Sequence, residues 1–191
     1  MRCKQLSFLP RTSLEHGGDI GRGKRKTARV IDPKRPLHLV LRSTLARGEW
    51  SMLHPKKRSH VDRLAYQVAE RYGVRIYRYS NVGNHLHFLV KTPNRRAFRG
   101  FLRELAGSIA MRITGARKGS PVAQSTDSQE YSTKRGFWDR LAYTRIVSWG
   151  RDLGNLEQYF IKNLFEAAGL LTRKAKKAGL RVIPILGWAP S

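Results

Sequence analysis

Four side chains in this 191-residue chain have types and spacings that could do chemistry: His85 and His87, one residue apart, and Tyr159 and Asn163, four residues apart. On a strand, residues i and i+2 point the same way, so His85 and His87 share one face while Leu86, Phe88 and Val90 take the other. Two neutral imidazoles one pleat apart can hold one divalent ion, but such a pair on a solvated strand is more often surface decoration. On a helix, Tyr159 and Asn163 project from one side, ~100° of arc from Phe160 on the apolar stripe. If that side faces the histidines, Asn163 can supply an amide oxygen as ligand and Tyr159 a hydroxyl to whatever the ion polarises. Otherwise Tyr159 is a boundary aromatic and Asn163 a solvated helix residue.

Positioning these groups requires particular elements. Leu37-His38-Leu39-Val40-Leu41-Arg42 reads as a strand. From Arg58 to Tyr72, Val61, Leu64, Ala65, Val68, Ala69 and Tyr72 fall on one helical stripe that Gly73 closes. Val74–Tyr79 and His85–Val90 form a hairpin around Val82-Gly83-Asn84, and Pro93 ends it. A second helix follows from about Arg95 to Ile113 with the stripe Phe98, Phe101, Leu102, Leu105 and Ile109. Residues 115–136 are polar and read as a long loop, and Arg140–Val147 as a fourth strand. Asp152 can cap a third helix with the stripe Leu153, Leu156, Phe160, Leu164 and Ala167. This order is that of an α+β, ferredoxin-like split βαβ: an antiparallel sheet with two helices on one face, plus a C-terminal helix that carries Tyr159. The second sheet face is then available to a ligand. Residues 1–35 form a basic flexible arm, 36–170 the folded domain and 171–191 a basic tail.

The charge names the class of partner. With 38 Lys and Arg against 13 Asp and Glu, the net charge is +25, and a chain so self-repelling calls for a polyanion, nucleic acid first. Residues 71–103 contain no acid and eight bases. Lys24, Arg25 and Lys26 in the arm, with Arg75, Arg78, Lys91, Arg95 and Arg96 in the domain, are the expected phosphate contacts, and Tyr77, Tyr79, Trp138 and Trp149 are candidates to stack unpaired bases. Cys3 is the only cysteine, which excludes an internal disulfide and a multi-cysteine zinc site. No apolar run is long enough for a membrane span, and Met1–Leu6 lacks an apolar signal core, so a cytoplasmic, nucleoid-associated protein is expected.

The run Gly83-Asn84-His85-Leu86-His87-Phe88-Leu89-Val90 resembles the His-hydrophobe-His strand of the HUH endonucleases. Within them it is similar to the single-tyrosine transposases, both the insertion-sequence single-strand transposases and the REP-associated tyrosine transposases. The resemblance extends through Phe137-Trp138-Asp139-Arg140 and Leu156–Asn163, and covers about residues 36–170. It implies a ferredoxin-like fold, with Tyr159 as nucleophile and His85, His87 and Asn163 as ligands of Mg²⁺ or Mn²⁺. The implied substrate is single-stranded DNA with a hairpin near the cleavage site, cut and rejoined through a 5′-phosphotyrosine, in a chain that acts as a monomer or a homodimer. The alternative is a catalytically inactive or domesticated module that binds DNA or structured RNA.

Overall fold

The computed structural model describes residues 14–20, 27–116 and 136–167. Lys24, Arg25 and Lys26, the tail from residue 171, and most of the 115–136 loop lie outside them.

Alternation of leucine with larger or polar residues makes β2 (Leu37–Arg42) a strand with two different faces: Leu37, Leu39 and Leu41 are buried on one, while His38, Val40 and Arg42 take the other. Helix α1 (Pro55–Arg71) starts with proline in its first turn, where a missing N–H costs nothing, and the His54 side chain accepts from Lys56 N at 3.3 Å. It buries Val61, Ala65, Val68 and Ala69. β3 (Arg75–Asn81) and β4 (His85–Lys91) form the expected hairpin, whose turn uses Gly83 at φ 87°. Helix α2 (Arg95–Thr114) is capped by Asn94, whose side chain accepts from Ala97 N at 2.8 Å, and ends at Gly115 in the left-handed region. β5 (Tyr143–Ile146) is shorter than the expected Arg140–Val147, and α3 (Arg151–Ala167) follows.

All pairings are antiparallel and, with a short strand β1 (Glu15–His16) at one edge, the sheet order is β1-β5-β2-β4-β3. The four strands predicted from the sequence thus interleave as a split βαβ. The fifth, β1 (Glu15–His16), pairs with β5 in the segment expected to be part of a flexible arm. Gly17, at φ 81°, lies so close to the Ala142 carbonyl that a β-carbon would collide with it, and Gly18 N donates to Leu141 O at 2.9 Å. The main core lies between the sheet and α1 and α2, where Leu39, Leu86, Phe88, Phe98, Phe101 and Leu105 are buried. Among the described residues no helix is long and apolar enough to cross a membrane.

The second sheet face is not open. α3 packs on it through a smaller cluster of Leu89, Val147, Leu156 and Phe160, with Tyr77 and Leu153 alongside. The buried line of α3 therefore departs from the expected stripe: it runs Leu156, Phe160, Asn163, while Leu164 is 55% exposed. The reason is rotational, since Leu164 lies ~100° beyond Asn163 around the helix.

Phe88 is fully buried and touches Tyr79 and Phe101. Phe88→Ala should lower stability by about 3–5 kcal/mol, read as a shift in urea midpoint at unchanged m-value.

Candidate active site on the second sheet face

β4 turns His85 and His87 to the face opposite α1 and α2, as alternation requires, with ring centroids 5.8 Å apart and planes within 8°. His87 is 3% exposed because α3 lies over it, whereas His85 is half-buried. The Tyr159 ring meets His87 edge-on at 5.4 Å between centroids. Phe160, next in sequence, packs on His87 at 6.1 Å, so the apolar anchor of α3 and the phenol arrive together. Tyr159 itself is 45% exposed and faces a cleft of about 1220 Å³ shared with His85, His87, Arg42, Trp138 and Tyr143.

His38 belongs to no motif in the sequence, yet it completes a row of imidazoles. It stacks on His87 at 5.9 Å, meets Tyr159 edge-on at 6.2 Å and is 6% exposed. A signal for it exists: once Leu37, Leu39 and Leu41 are assigned to the helix side, His38 must point to the histidine side. What local sequence does not reveal is the register, in which Val40 opposes His87 and His38 lies diagonally beside it.

Asn163 sits on the buried side of α3, 8% exposed, with its amide nitrogen unpartnered among the described residues. It does not line the cleft. The expected phosphate contacts divide among several places. Arg75 and Lys91 oppose each other at one end of the sheet, and Arg78 pairs with Glu157 of α3 at 3.2 Å. Arg95 and Arg96 are exposed on α2, in the layer on the other side of the sheet. Of the expected stacking rings, Tyr79 is committed to the core side, donating to Asp62 at 2.7 Å, and Tyr77 packs against α3. Trp138 lines the cleft although its indole N–H is bound to Ala106 O, and Trp149 is 59% exposed.

The electrostatics keep the imidazoles neutral. Burial, helped by Arg145 and opposed by Asp152, lowers His38 to about 4. Burial and then the neighbouring imidazoles lower His87 to about 3. His85 is lowered by the same desolvation and by Arg42. Neutral imidazoles are what a cation requires, and the Nδ1 of His85 lies 2.6 Å from Asn84 Oδ1, which fixes the ring and leaves the other nitrogen to a ligand. His85 and His87 therefore fit a divalent ion as a two-nitrogen pair in a cleft that admits water and phosphate. Tyr143, the other phenol in the cleft, is pushed up to about 12 by burial and by Glu15, which holds it as the neutral phenol.

Burying His38 and His87 neutral has a measurable consequence. Their folded values lie below the 6.5 of the free side chain, so the unfolded chain binds more protons between about pH 6.5 and pH 3. Stability contributed by the pair is complete above pH 6.5 and falls as the pH drops through that window. Urea unfolding in EDTA at pH 7 and pH 4.5 should show the fall, and the double variant His38→Gln, His87→Gln should show a smaller one.

No protein-family model matches the chain, and no curated protein sequence matches it. Solved structures do. A candidate transposase from Deinococcus radiodurans R1 aligns over 74% of this chain and 97% of its own, at 15% identity and a TM-score of 0.43. A REP-associated tyrosine transposase bound to a REP hairpin aligns over 77% of this chain and 76% of its own, at 10% identity and a TM-score of 0.50. The α+β sheet-and-helix architecture described above is thus one that this chain shares with a REP-associated tyrosine transposase.

Proposed function

We propose that the chain is a DNA strand transferase that cuts single-stranded DNA through a covalent bond to Tyr159. The observation that carries this reading is the meeting of Tyr159 with His87, itself stacked on His85, in a cleft on a strongly basic chain. In this reading the phenol of Tyr159 loses its proton and attacks the scissile phosphorus. The bond from phosphorus to the 3′-oxygen breaks, and that oxygen leaves as a free 3′-hydroxyl. The 5′ side remains on Tyr159 as a phosphodiester, so a second 3′-hydroxyl can reverse the step and rejoin DNA without a nucleotide cofactor. A Mg²⁺ or Mn²⁺ ion between His85 and His87 would supply positive charge to a non-bridging phosphate oxygen, with manganese favoured by the nitrogen ligands. Asn163, one turn beyond Tyr159 and buried on the side of α3 that covers His87, would add an amide oxygen as a third ligand. Arg42, Arg145 and Trp138 line the same cleft and would orient the unpaired strand.

The likeness to a transposase bound to a REP hairpin suggests DNA with a hairpin beside the cleavage site as the substrate class. An inactive binding module needs neither phenol nor paired imidazoles in one cleft, so their proximity favours the enzyme.

Incubation of labelled hairpin-flanked oligonucleotides with Mn²⁺ or Mg²⁺, followed by denaturing electrophoresis, should give protein covalently joined to DNA. Tyr159→Phe should give none and Tyr143→Phe should retain it; the reverse pattern removes Tyr159 from its role. His87→Ala should lower adduct formation by at least ~100-fold while binding, which rests mainly on counterion release by Lys and Arg, falls by less than about threefold. Equal losses of both would count against the metal assignment.

A further inference from the structure

His38 is buried at the base of the cleft, and the strand-transfer reaction gives it no part. It is 6% exposed, and its Nε2 has no hydrogen-bond partner among the described residues. Folding does not call for an imidazole at this position. Leucine, as at Leu37 and Leu39 on either side, would pack against Phe160 without leaving a polar atom unpaired, and an unpaired buried nitrogen disfavours the folded state. What histidine supplies and leucine lacks is a flat, rigid ring with a face and an edge.

Rings from three elements close around it. His87 of β4 stacks on it at 5.9 Å between centroids with planes 14° apart, and Tyr143 of β5 meets it edge-on at 6.1 Å. Tyr159 and Phe160 of α3 lie at 6.2 and 5.7 Å. The register puts it there: His38 pairs with Leu89 on one side and with Arg145 on the other, so its ring lies diagonally from both His87 and Tyr143. A side chain enclosed in this way has little freedom to turn.

Tyr159 has the opposite setting. It is 45% exposed, and among the described residues the rings that meet it are His87 and His38. Its plane stands at 83° to the first and 77° to the second. Because the two imidazoles belong to different strands and lie nearly parallel, the phenol rests across a pair of supports. One support limits how closely the ring approaches the sheet. Two also limit its rotation about the bonds that join it to α3. An in-line attack needs that limit, since the reacting atoms must stand ~3–3.5 Å apart with their orbitals aligned.

We infer that His38 is a positioning residue for the nucleophile: together with His87 it forms a two-ring rest that holds Tyr159 in one orientation at the cleft. The inference rests on Tyr159 being the nucleophile in the reading above. His38 acts through its shape, so a planar ring is what position 38 requires.

Two variants test this. H38L fills the space without a flat face, and H38F restores the ring; both remove the unpaired nitrogen. In single-turnover cleavage of a saturating hairpin-flanked oligonucleotide with Mn²⁺, H38L should be about 100-fold slower than the parent, the loss expected from a misplaced reacting group. H38F should recover most of that rate. Affinity of H38L for the oligonucleotide in EDTA should change by less than about twofold, because it comes mainly from Lys and Arg. Its Mn²⁺ affinity, read by electron paramagnetic resonance, should change by less than the ~10–100-fold expected if His38 oriented a metal ligand. A readout free of metal and DNA is the ¹⁹F spectrum of the protein carrying 3-fluorotyrosine at position 159. The resonance should move towards that of free 3-fluorotyrosine in H38L and stay near the parent's in H38F. A parental cleavage rate or an unmoved resonance in H38L overturns the inference. So does a loss of DNA or Mn²⁺ affinity that matches the loss of rate, or an H38F protein that folds and is as slow as H38L. Should the larger ring prevent H38F from folding, H38L decides alone. If the parent forms no adduct, the cleavage reading falls, while the fluorine spectrum still decides whether His38 orients Tyr159.

Discussion

The site exists because α3 is pressed onto the second face of the sheet by Leu156 and Phe160 against Leu89 and Val147. Full burial of each such side chain is worth ~1.5–3 kcal/mol, so this packing is strong enough to dock a helix but small beside the layer under α1 and α2. The polar ties add direction more than energy. Arg78 with Glu157 and Arg145 with Asp152 are partly exposed pairs, of the kind worth ~0–1 kcal/mol. Asp152 also accepts from Ser148 N, which fixes the entry of the helix. Phe160 touches both His38 and His87, so the residue that seats the helix also sets the height of Tyr159 above the imidazoles. An element held this lightly can open without unfolding the main core, which gives the cleft a route for a ligand to enter.

Charge is distributed by a related economy. With 13 acids against 38 bases, carboxylates are scarce, and four of them in the described residues sit where chain segments meet. Asp152 and Glu157 tie α3 to β5 and β3, Glu104 ties α2 to the end of α1, and Asp139 binds Arg42 and Thr44 where the segment after the loop meets β2. These four acids are thus used at joints. Repulsion among the remaining cations weakens the free fold, and binding of a polyanion relieves it, so affinity and stability are coupled.

Much of this was legible in the sequence because the strongest signals are local. Alternation in Leu37–Leu39 and His85–Phe88 identifies both central strands and the face of the histidines, and the stripes of Val61–Ala69 and Phe98–Ile109 identify α1 and α2. The failures lie where an element is short or its rotation is set by distant residues. Two residues, Glu15 and His16, carry no periodicity, and β1 exists because Gly17 and Gly18 allow the backbone to approach β5. Leu164 fits an apolar stripe as well as Leu156 does, yet the surface α3 meets is partly polar, and Asn163 turns inward instead. Which way Asn163 faces depends on that rotation, which a spacing of four residues cannot decide. His38 is hidden for a different reason: a histidine among leucines in a strand reads as an interruption until the register places it beside His87.

The layer between α3 and the sheet shows what such a fold tolerates for its site. Six buried side-chain polar atoms lack a hydrogen-bond partner among the described residues, and four of them, on His38, Ser80, His87 and Asn163, belong to this one layer. A buried group without a partner costs ~1–3 kcal/mol, so clustering four of them under one lightly held helix works against docking it. A design for stability alone would place apolar residues there, as the helix side of the same strands does with Leu37, Leu39, Leu86 and Phe88. The contrast between two faces of one sheet, one filled with hydrocarbon and the other lined with neutral nitrogen and amide groups, is therefore not explained by folding. It is explained if those groups find their partners in a polar or charged ligand entering beside Tyr159, which ties the stability of the α3 layer to occupation of the cleft.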